Sequence, residues 1–144
     1  MEFAGKKVLI LGGGVTGSSV AKIIEELGAK VAIADEKPVA DYVAHPINDF
    51  ENLNYDFAIV SPGWKPDHQL IQALVNKGIT ITNEIDLAWH FRNLHAPKQK
   101  WVAITGTNGK TTTTELAAAM LNASGISAAA CGNVGTTVIE SVPV

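Results

Sequence analysis

Lys7-Val8-Leu9-Ile10-Leu11-Gly12-Gly13-Gly14-Val15-Thr16-Gly17 is the stretch on which the fold turns: a short apolar run followed by a G-x-G-x-x-G on Gly12, Gly14 and Gly17. An apolar, β-branched run of this length reads as a buried strand. The glycines allow a tight turn into a helix whose first backbone N–H groups can meet an anion. Beyond the turn, Val20, Ile23, Ile24 and Leu27 recur at i, i+3, i+4 and i+7, and Gly28 stands where a left-handed C-cap belongs. Val31-Ala32-Ile33-Ala34 then forms a second strand and ends in Asp35. An acidic residue about 20 positions past such glycines can take a ribose hydroxyl or a base donor. The unit predicts a nucleotide or dinucleotide crevice.

Working outward, the alternation of strand and helix continues, as a doubly wound parallel sheet requires. Phe57-Ala58-Ile59-Val60 is a third strand that runs into Ser61-Pro62-Gly63, a sharp turn at the sheet edge where ligands of such sheets collect. Asp67 to Asn76 reads as a helix with Leu70, Ile71, Leu74 and Val75 on one side, closed by Gly78, and Ile79-Thr80-Ile81 is a fourth strand. Asn83 caps a further helix, on which Ile85, Ala88 and Trp89 share one face and Leu87 and Phe91 a neighbouring one. Residues 36–54 fit no long helix, because Pro38 and Pro46 interrupt them.

A polar, proline-containing stretch from Asn93 to Lys100 marks a domain boundary, with one domain over 1–95 and the start of another over 96–144. The second opens with the apolar run Trp101-Val102-Ala103-Ile104, read as a strand, and continues as Thr105-Gly106-Thr107-Asn108-Gly109-Lys110-Thr111-Thr112. The glycines permit backbone N–H groups to face phosphate oxygens, Lys110 supplies a cation for the β and γ phosphates, and the Thr111 hydroxyl suits Mg²⁺. The general motif wants a glycine at position 104, where Ile104 stands, so this is the tighter G-x-x-G-K-T form. The helix that follows is expected to bury Leu116, Ala117, Met120 and Leu121 and to end at Gly125. About 45 residues cannot cover both faces of a parallel sheet, so the second domain is expected to be incomplete within the chain.

Composition narrows the remaining classes. At 144 residues, 47% hydrophobic and 17% charged, with a net charge of −3, the chain is an ordinary globular one with no dense basic stretch. Nucleic acid and anionic membrane are therefore not expected partners, and the strand-sized apolar runs and absence of a signal-like N-terminus predict a cytoplasmic protein. A lone Cys131 excludes an intramolecular disulfide or cysteine metal cage and reads as a packing residue. His45, His68, His90 and His95 show no ligand spacing and read as surface or cap residues. Glu115, Glu25 and Glu26 read as solvated helix positions.

The glycine turn, Ser61-Pro62-Gly63, the loop from Thr105 to Thr112 and Gly132-Asn133-Val134-Gly135 together resemble the Mur ligases of bacterial peptidoglycan synthesis. The resemblance covers the whole chain and is greatest to the D-glutamate-adding branch, since Asn108 stands where the L-alanine-adding branch usually has histidine. It implies a Rossmann-like domain that binds the UDP part of the substrate, followed by the beginning of a phosphate-loop ATPase domain. Gly14, Val15 and Thr16 would then meet the uridine and diphosphate, Asp35, Glu36 and Lys37 would flank the uracil, and Ser61, Pro62 and Gly63 would close that pocket. Asn133 matches a family position that contacts the substrate from the central domain. Trp64 is bulkier than the expected aliphatic residue, and could stack on a base or plug its own loop.

The implied reaction is ATP-dependent amide formation, which accounts for two nucleotide sites in one chain. The substrates are UDP-N-acetylmuramoyl-L-alanine and D-glutamate, and the cofactors ATP and Mg²⁺. Gly106, Thr107, Asn108, Gly109, Lys110, Thr111 and Thr112 would bind ATP, with Lys110 and Thr111 acting in catalysis, Thr111 on the metal, and Thr112 on the nucleotide phosphates. The resemblance also implies further metal ligands and a D-glutamate-binding domain outside these 144 residues, so the chain alone is expected to be inactive and the full-length protein to be a monomer. Two other readings compete: a regulatory module holding NAD(H) through Gly12, Gly14, Gly17 and Asp35, and a P-loop NTPase switch or transporter component.

Overall fold

The computed structural model describes residues 2–37, 39–132 and 135–144. Five strands, β1 (Lys7–Leu11), β2 (Lys30–Ala34), β3 (Val43–Ala44), β4 (Phe57–Val60) and β5 (Thr80–Asn83), form one parallel sheet in the order β3-β2-β1-β4-β5. The chain direction across the sheet reverses between β1 and β4, where Val8 pairs with Phe57 and Leu11 with Val60. In open parallel sheets the crevice at that reversal, beyond the strand carboxyl ends, is where ligands bind.

Alternation along β1 divides the core into two layers, because successive strand side chains point to opposite faces. Val8 and Ile10 pack with Val20 and Ile24 of α1 (Val15–Glu26) and with Leu87 and Phe91 of α3 (Glu84–His95). Leu9 and Leu11 pack with Leu70, Ile71 and Leu74 of α2 (Gln69–Asn76). Helices on both faces make the architecture α/β and doubly wound, as the alternating pattern predicted. Gly28 sits at φ +88 just past α1, the left-handed stop its position implied.

Several local expectations change. A two-residue strand, β3, docks at the sheet edge within the stretch read as irregular, where Ala32 pairs with Val43. α2 begins at Gln69 rather than Asp67, because the His68 side chain caps it by accepting from the Leu70 N–H at 3.2 Å. Val75 lies off the buried side of α2 and is exposed. On α3 the buried stripe is Glu84, Leu87, Ala88 and Phe91, while Ile85 and Trp89 face outward. The Asn83 cap is as expected, its side chain accepting from the Asp86 N–H at 2.9 Å.

The larger correction concerns residues 101–130. Trp101–Ile104 is not a strand, since among the described residues no neighbouring strand offers it a ladder. The helix α4 (Lys110–Ala123) forms but buries none of its residues, and Leu116 and Met120, read as core, are 58% and 62% exposed. Leu121 is likewise exposed and Ala117 only partly covered. Residues 139–142 then return to the first sheet: a 3₁₀ turn, Ile139–Ser141, places Ile139 and Val142 in the core layer of α1 and α3.

Candidate functional site

At the carboxyl ends of β1, β2 and β4 three turns converge, and their hydrogen bonds join them. Gly12 N–H donates to the Ala34 carbonyl at 2.8 Å, Ser61 N–H to the Leu11 carbonyl at 3.0 Å, and the Ser61 hydroxyl to the Gly12 carbonyl at 3.3 Å. Gly12 itself has φ +97, a conformation that favours glycine, and an added Cβ would lie 3.0 Å from the Ser61 side chain. At Gly17 a Cβ would lie 1.8 Å from the Gly12 carbonyl oxygen, so only glycine lets α1 start this close to β1. Of the three glycines noticed in the sequence, Gly12 and Gly17 are therefore requirements of the turn, whereas a Cβ at Gly14 would meet nothing within 4 Å.

Asp35 organises the crevice from the end of β2. Its carboxylate accepts the Gly13 N–H at 2.6 Å and the Lys37 N–H at 3.1 Å. These two backbone bonds, the Gly13 one foremost, hold its carboxyl below the usual aspartate range. A carboxylate has further lone pairs, so Asp35 can still accept from a ligand while it fixes the glycine turn. Ser18 adds a second brace, its hydroxyl donating to the Gly13 carbonyl at 3.0 Å. No side chain caps α1 at Gly14, which leaves the N–H groups at that helix end available to an anion.

Two hollows meet at Asp35. One, of about 440 Å³, is lined by Gly12, Glu36, Ser61, Gly63, Trp64 and His68 among others, and the second, of about 410 Å³, by Gly13, Gly14 and Lys37. The structure thus brings together Gly14, Asp35, Glu36, Lys37, Ser61 and Gly63 from the residues singled out in the sequence. Val15 and Thr16 follow Gly14 as the first residues of α1, with the Val15 side chain exposed, and Pro62 sits in the turn between Ser61 and Gly63. Asn133 lies outside the described residues. Trp64 is partly buried against the α2 layer, with its ring edge-on to His68 at 4.5 Å between centroids. It packs its own loop, the second of the two uses foreseen for it, and also forms a wall of the larger hollow.

The phosphate loop stands apart as an exposed turn at the head of α4. Gly109, at φ +77, is the N-terminal boundary of α4, and the Lys110 ammonium donates to the carbonyls of Gly106 at 2.6 Å and Thr107 at 3.4 Å. A lysine folded over its own loop is positioned to exchange those carbonyls for phosphate oxygens. Thr107, Asn108, Thr111 and Thr112 are exposed around it. Among the described residues no group of three or more His, Cys, Asp or Glu is placed to hold a metal, so Thr111 offers a single hydroxyl. His45, read as a surface or cap residue, is instead buried, meeting the Asp49 carbonyl and the Tyr55 hydroxyl, each at 3.1 Å.

Sequence reading missed the polar residues that bring 137–142 back to the first sheet. Glu84 is 7% exposed and accepts the Ile139 N–H at 3.0 Å, and Glu140 accepts the Ser19 hydroxyl at 3.0 Å. Thr137-x-x-Glu140 has the spacing of a capping box, a signal that was available, and both the Thr137 N–H and hydroxyl donate to Glu140. Nothing in the sequence marks Glu84 as buried.

With this geometry in place, comparison with known proteins gives a consistent answer. The family model of the Mur ligase middle domain matches residues 104–142, and that of the alanine dehydrogenase/PNT C-terminal domain matches residues 2–55. The chain is 34% identical to the UDP-N-acetylmuramoylalanine–D-glutamate ligase of Streptomyces coelicolor, over 98% of this chain and 33% of that protein. It is 39% identical to the enzyme of the same name from Tropheryma whipplei, over 98% of this chain and 32% of that one. The chain thus spans about a third of the length of the curated relatives it matches. Among solved structures it superposes on the UDP-N-acetylmuramate–alanine ligase of Thermotoga maritima with a TM-score of 0.53 at 24% identity, covering 81% of this chain and 29% of that one. That likeness concerns the fold alone. No helix among the described residues is long and apolar enough to cross a membrane.

Proposed function

The chain belongs to the Mur ligase family, and from that premise we propose that it is the uridine-nucleotide and phosphate-loop portion of an ATP-dependent amide ligase. The reaction proposed is addition of D-glutamate to UDP-N-acetylmuramoyl-L-alanine in peptidoglycan synthesis, carried out in the cytoplasm by a monomer. In this reading residues 1–95 bind the UDP part of the substrate and residues 96–144 begin the ATP-binding domain. The observation that carries it is the presence in one chain of two distinct anion-binding turns, Gly12–Gly17 at the head of α1 and Gly106–Lys110 at the head of α4.

The chemistry follows from what each turn can do. A carboxylate is a poor acyl donor, so the γ-phosphoryl group of ATP passes to the alanine carboxylate and ADP leaves. The D-glutamate amine then attacks the acyl phosphate, the amide forms, and inorganic phosphate departs with the bond electrons. Lys110 stabilises charge on the transferring group, its ammonium already lying within the loop hollow, while Gly106 to Gly109 and Thr112 hold the phosphates. Mg²⁺, when bound, neutralises charge between the phosphates, and Thr111 would supply one ligand to it. At the other turn, Gly14, Val15 and Thr16 present N–H groups to the diphosphate, Asp35 with Glu36 and Lys37 takes donors of the uridine, and Ser61, Pro62 and Gly63 bound the pocket. Asn133 would approach the substrate from the central domain.

A second reading has an observation of its own. Residues 2–55 match the alanine dehydrogenase/PNT C-terminal domain, and an acidic residue after a G-x-G-x-x-G also suits a dinucleotide, so the first unit could serve as an NAD-binding or regulatory module. Calorimetric titration separates the two. The ligase reading expects UDP, and more tightly the UDP-sugar substrate, to bind the Asp35 crevice in preference to NAD⁺. Stronger binding of NAD⁺ than of UDP would reject it.

A further inference from the structure

The stretch carrying the phosphate loop leaves the first domain and comes back to it, and α3 takes part in both crossings. At the exit, the Gln99 carbonyl accepts from the Arg92 guanidinium through Nε at 2.9 Å and through Nη2. The Trp101 indole donates to Gln99 Oε1 at 2.9 Å and its ring lies edge-on to Trp89 on α3, 5.2 Å between centroids. At the return, Ile139 and Val142 enter the core beside α1 and α3, Glu84 takes the Ile139 N–H, and Ser19 on α1 binds Glu140. Gln99 also ties the two crossings together, its Nε2 donating to the Ser141 carbonyl at 3.1 Å.

We propose that residues 137–142 are a clip, with Glu84 and Glu140 as positioning residues, that fixes the phosphate-loop segment to the domain bearing the Asp35 crevice. A single linker at 93–100 would leave that segment free to swing. Closing it at both ends removes most of that freedom, and the cost of closure rises only slowly with loop length. Glu84 is the telling residue. A carboxylate this buried is costly unless hydrogen-bonded, and an apolar side chain would fill the same place without that cost. What the carboxylate adds is one directed bond to one backbone amide, which sets where the returning strand of chain sits. The consequence for catalysis rests on the ligase reading; the clip itself rests on contacts alone.

Amide hydrogen exchange followed by NMR on the 144-residue chain tests the clip. Glu84→Ala should speed exchange at Ile139 by about tenfold or more, and Glu84→Gln, which keeps an acceptor oxygen, should restore protection. Amides of β1 and β4 and the affinity for UDP should not move. Should Glu84→Ala fail to fold, Gln99→Ala breaks the tie between the crossings without touching the core, and should speed exchange across 139–142. Unchanged exchange at Ile139 in a folded Glu84→Ala chain, or unchanged exchange across 139–142 in Gln99→Ala, overturns the clip. In the longer enzyme that contains this chain, Glu84→Ala should worsen kcat or the KM for ATP by about tenfold while the KM for the uridine substrate holds. Normal ATP kinetics beside a loosened Ile139 overturns the positioning role and spares the ligase reading, whereas failure of UDP to bind the unaltered chain strikes that reading and leaves the clip standing.

Discussion

Asp35 holds the glycine turn and, in the proposed function, would also present charge to a ligand. Its carboxyl is depressed by the Gly13 and Lys37 amides, so the folded state favours the ionised form. The sign follows: the stabilisation is complete above the ordinary aspartate value of 3.8 and is lost as the pH falls through the lower folded value. The Gly13 amide resonance should therefore shift on acidification below about pH 4, in step with weakening UDP binding, and Asp35→Asn should flatten that titration. A Gly13 amide that stays constant through the acid range would place the turn under other control. Lys110 lies at the second turn, bonded to the Gly106 and Thr107 carbonyls, and its role there is the one proposed for it. In a full-length ligase of the proposed kind, Lys110→Ala should lower kcat by roughly 10²–10³ while uridine binding survives, because its charge matters most in the transition state. Near-normal turnover would assign the loop another role.

At the scale of elements, legibility tracked how much of the burial was local. The strand at Lys7–Leu11, the period of Val20, Ile23 and Ile24, and the Asn83 cap are each decided by neighbours in sequence, and each formed as read. On α3 both candidate faces were apolar, and only tertiary packing against the sheet, α1 and the returning chain chose Leu87 and Phe91 over Ile85 and Trp89. At α4 the pattern supplied an apolar stripe but not a surface to cover it, and Glu84 looked like any acidic first-turn residue until Ile139 arrived from 55 positions away. The crevice was legible for the related reason that its residues sit at strand ends, whereas the clip depends on contacts distant in sequence. An element with no buried side chain opens at little cost. Amides of residues 102–130 should accordingly exchange far faster than those of β1, β2 and β4, with 139–142 again protected. Equal protection on α4 and β1 would show that α4 packs on something not seen among these contacts.

For the whole molecule the question is whether two glycine turns, each proposed to bind an anion, suffice for catalysis on one clipped chain, and the geometry argues that they do not. Phosphoryl transfer depends on positioning to within a fraction of an ångström, which loops achieve only when the elements beneath them are rigid. Here the residues before the loop form no strand, and the helix after it buries no side chain. The clip fixes where the segment leaves and rejoins the first domain, yet cannot stiffen the exposed loop between. Thr111 is one hydroxyl with no carboxylate or histidine cluster among the described residues to complete a metal site. UDP should therefore bind the 144-residue chain, while mixing it with UDP-N-acetylmuramoyl-L-alanine, D-glutamate and ATP–Mg²⁺ should give no amide product above background. Chromatographic detection of that product from the purified chain would mean that these residues alone hold the triphosphate and both substrates in reacting geometry, and the case for an unsupported loop would fall.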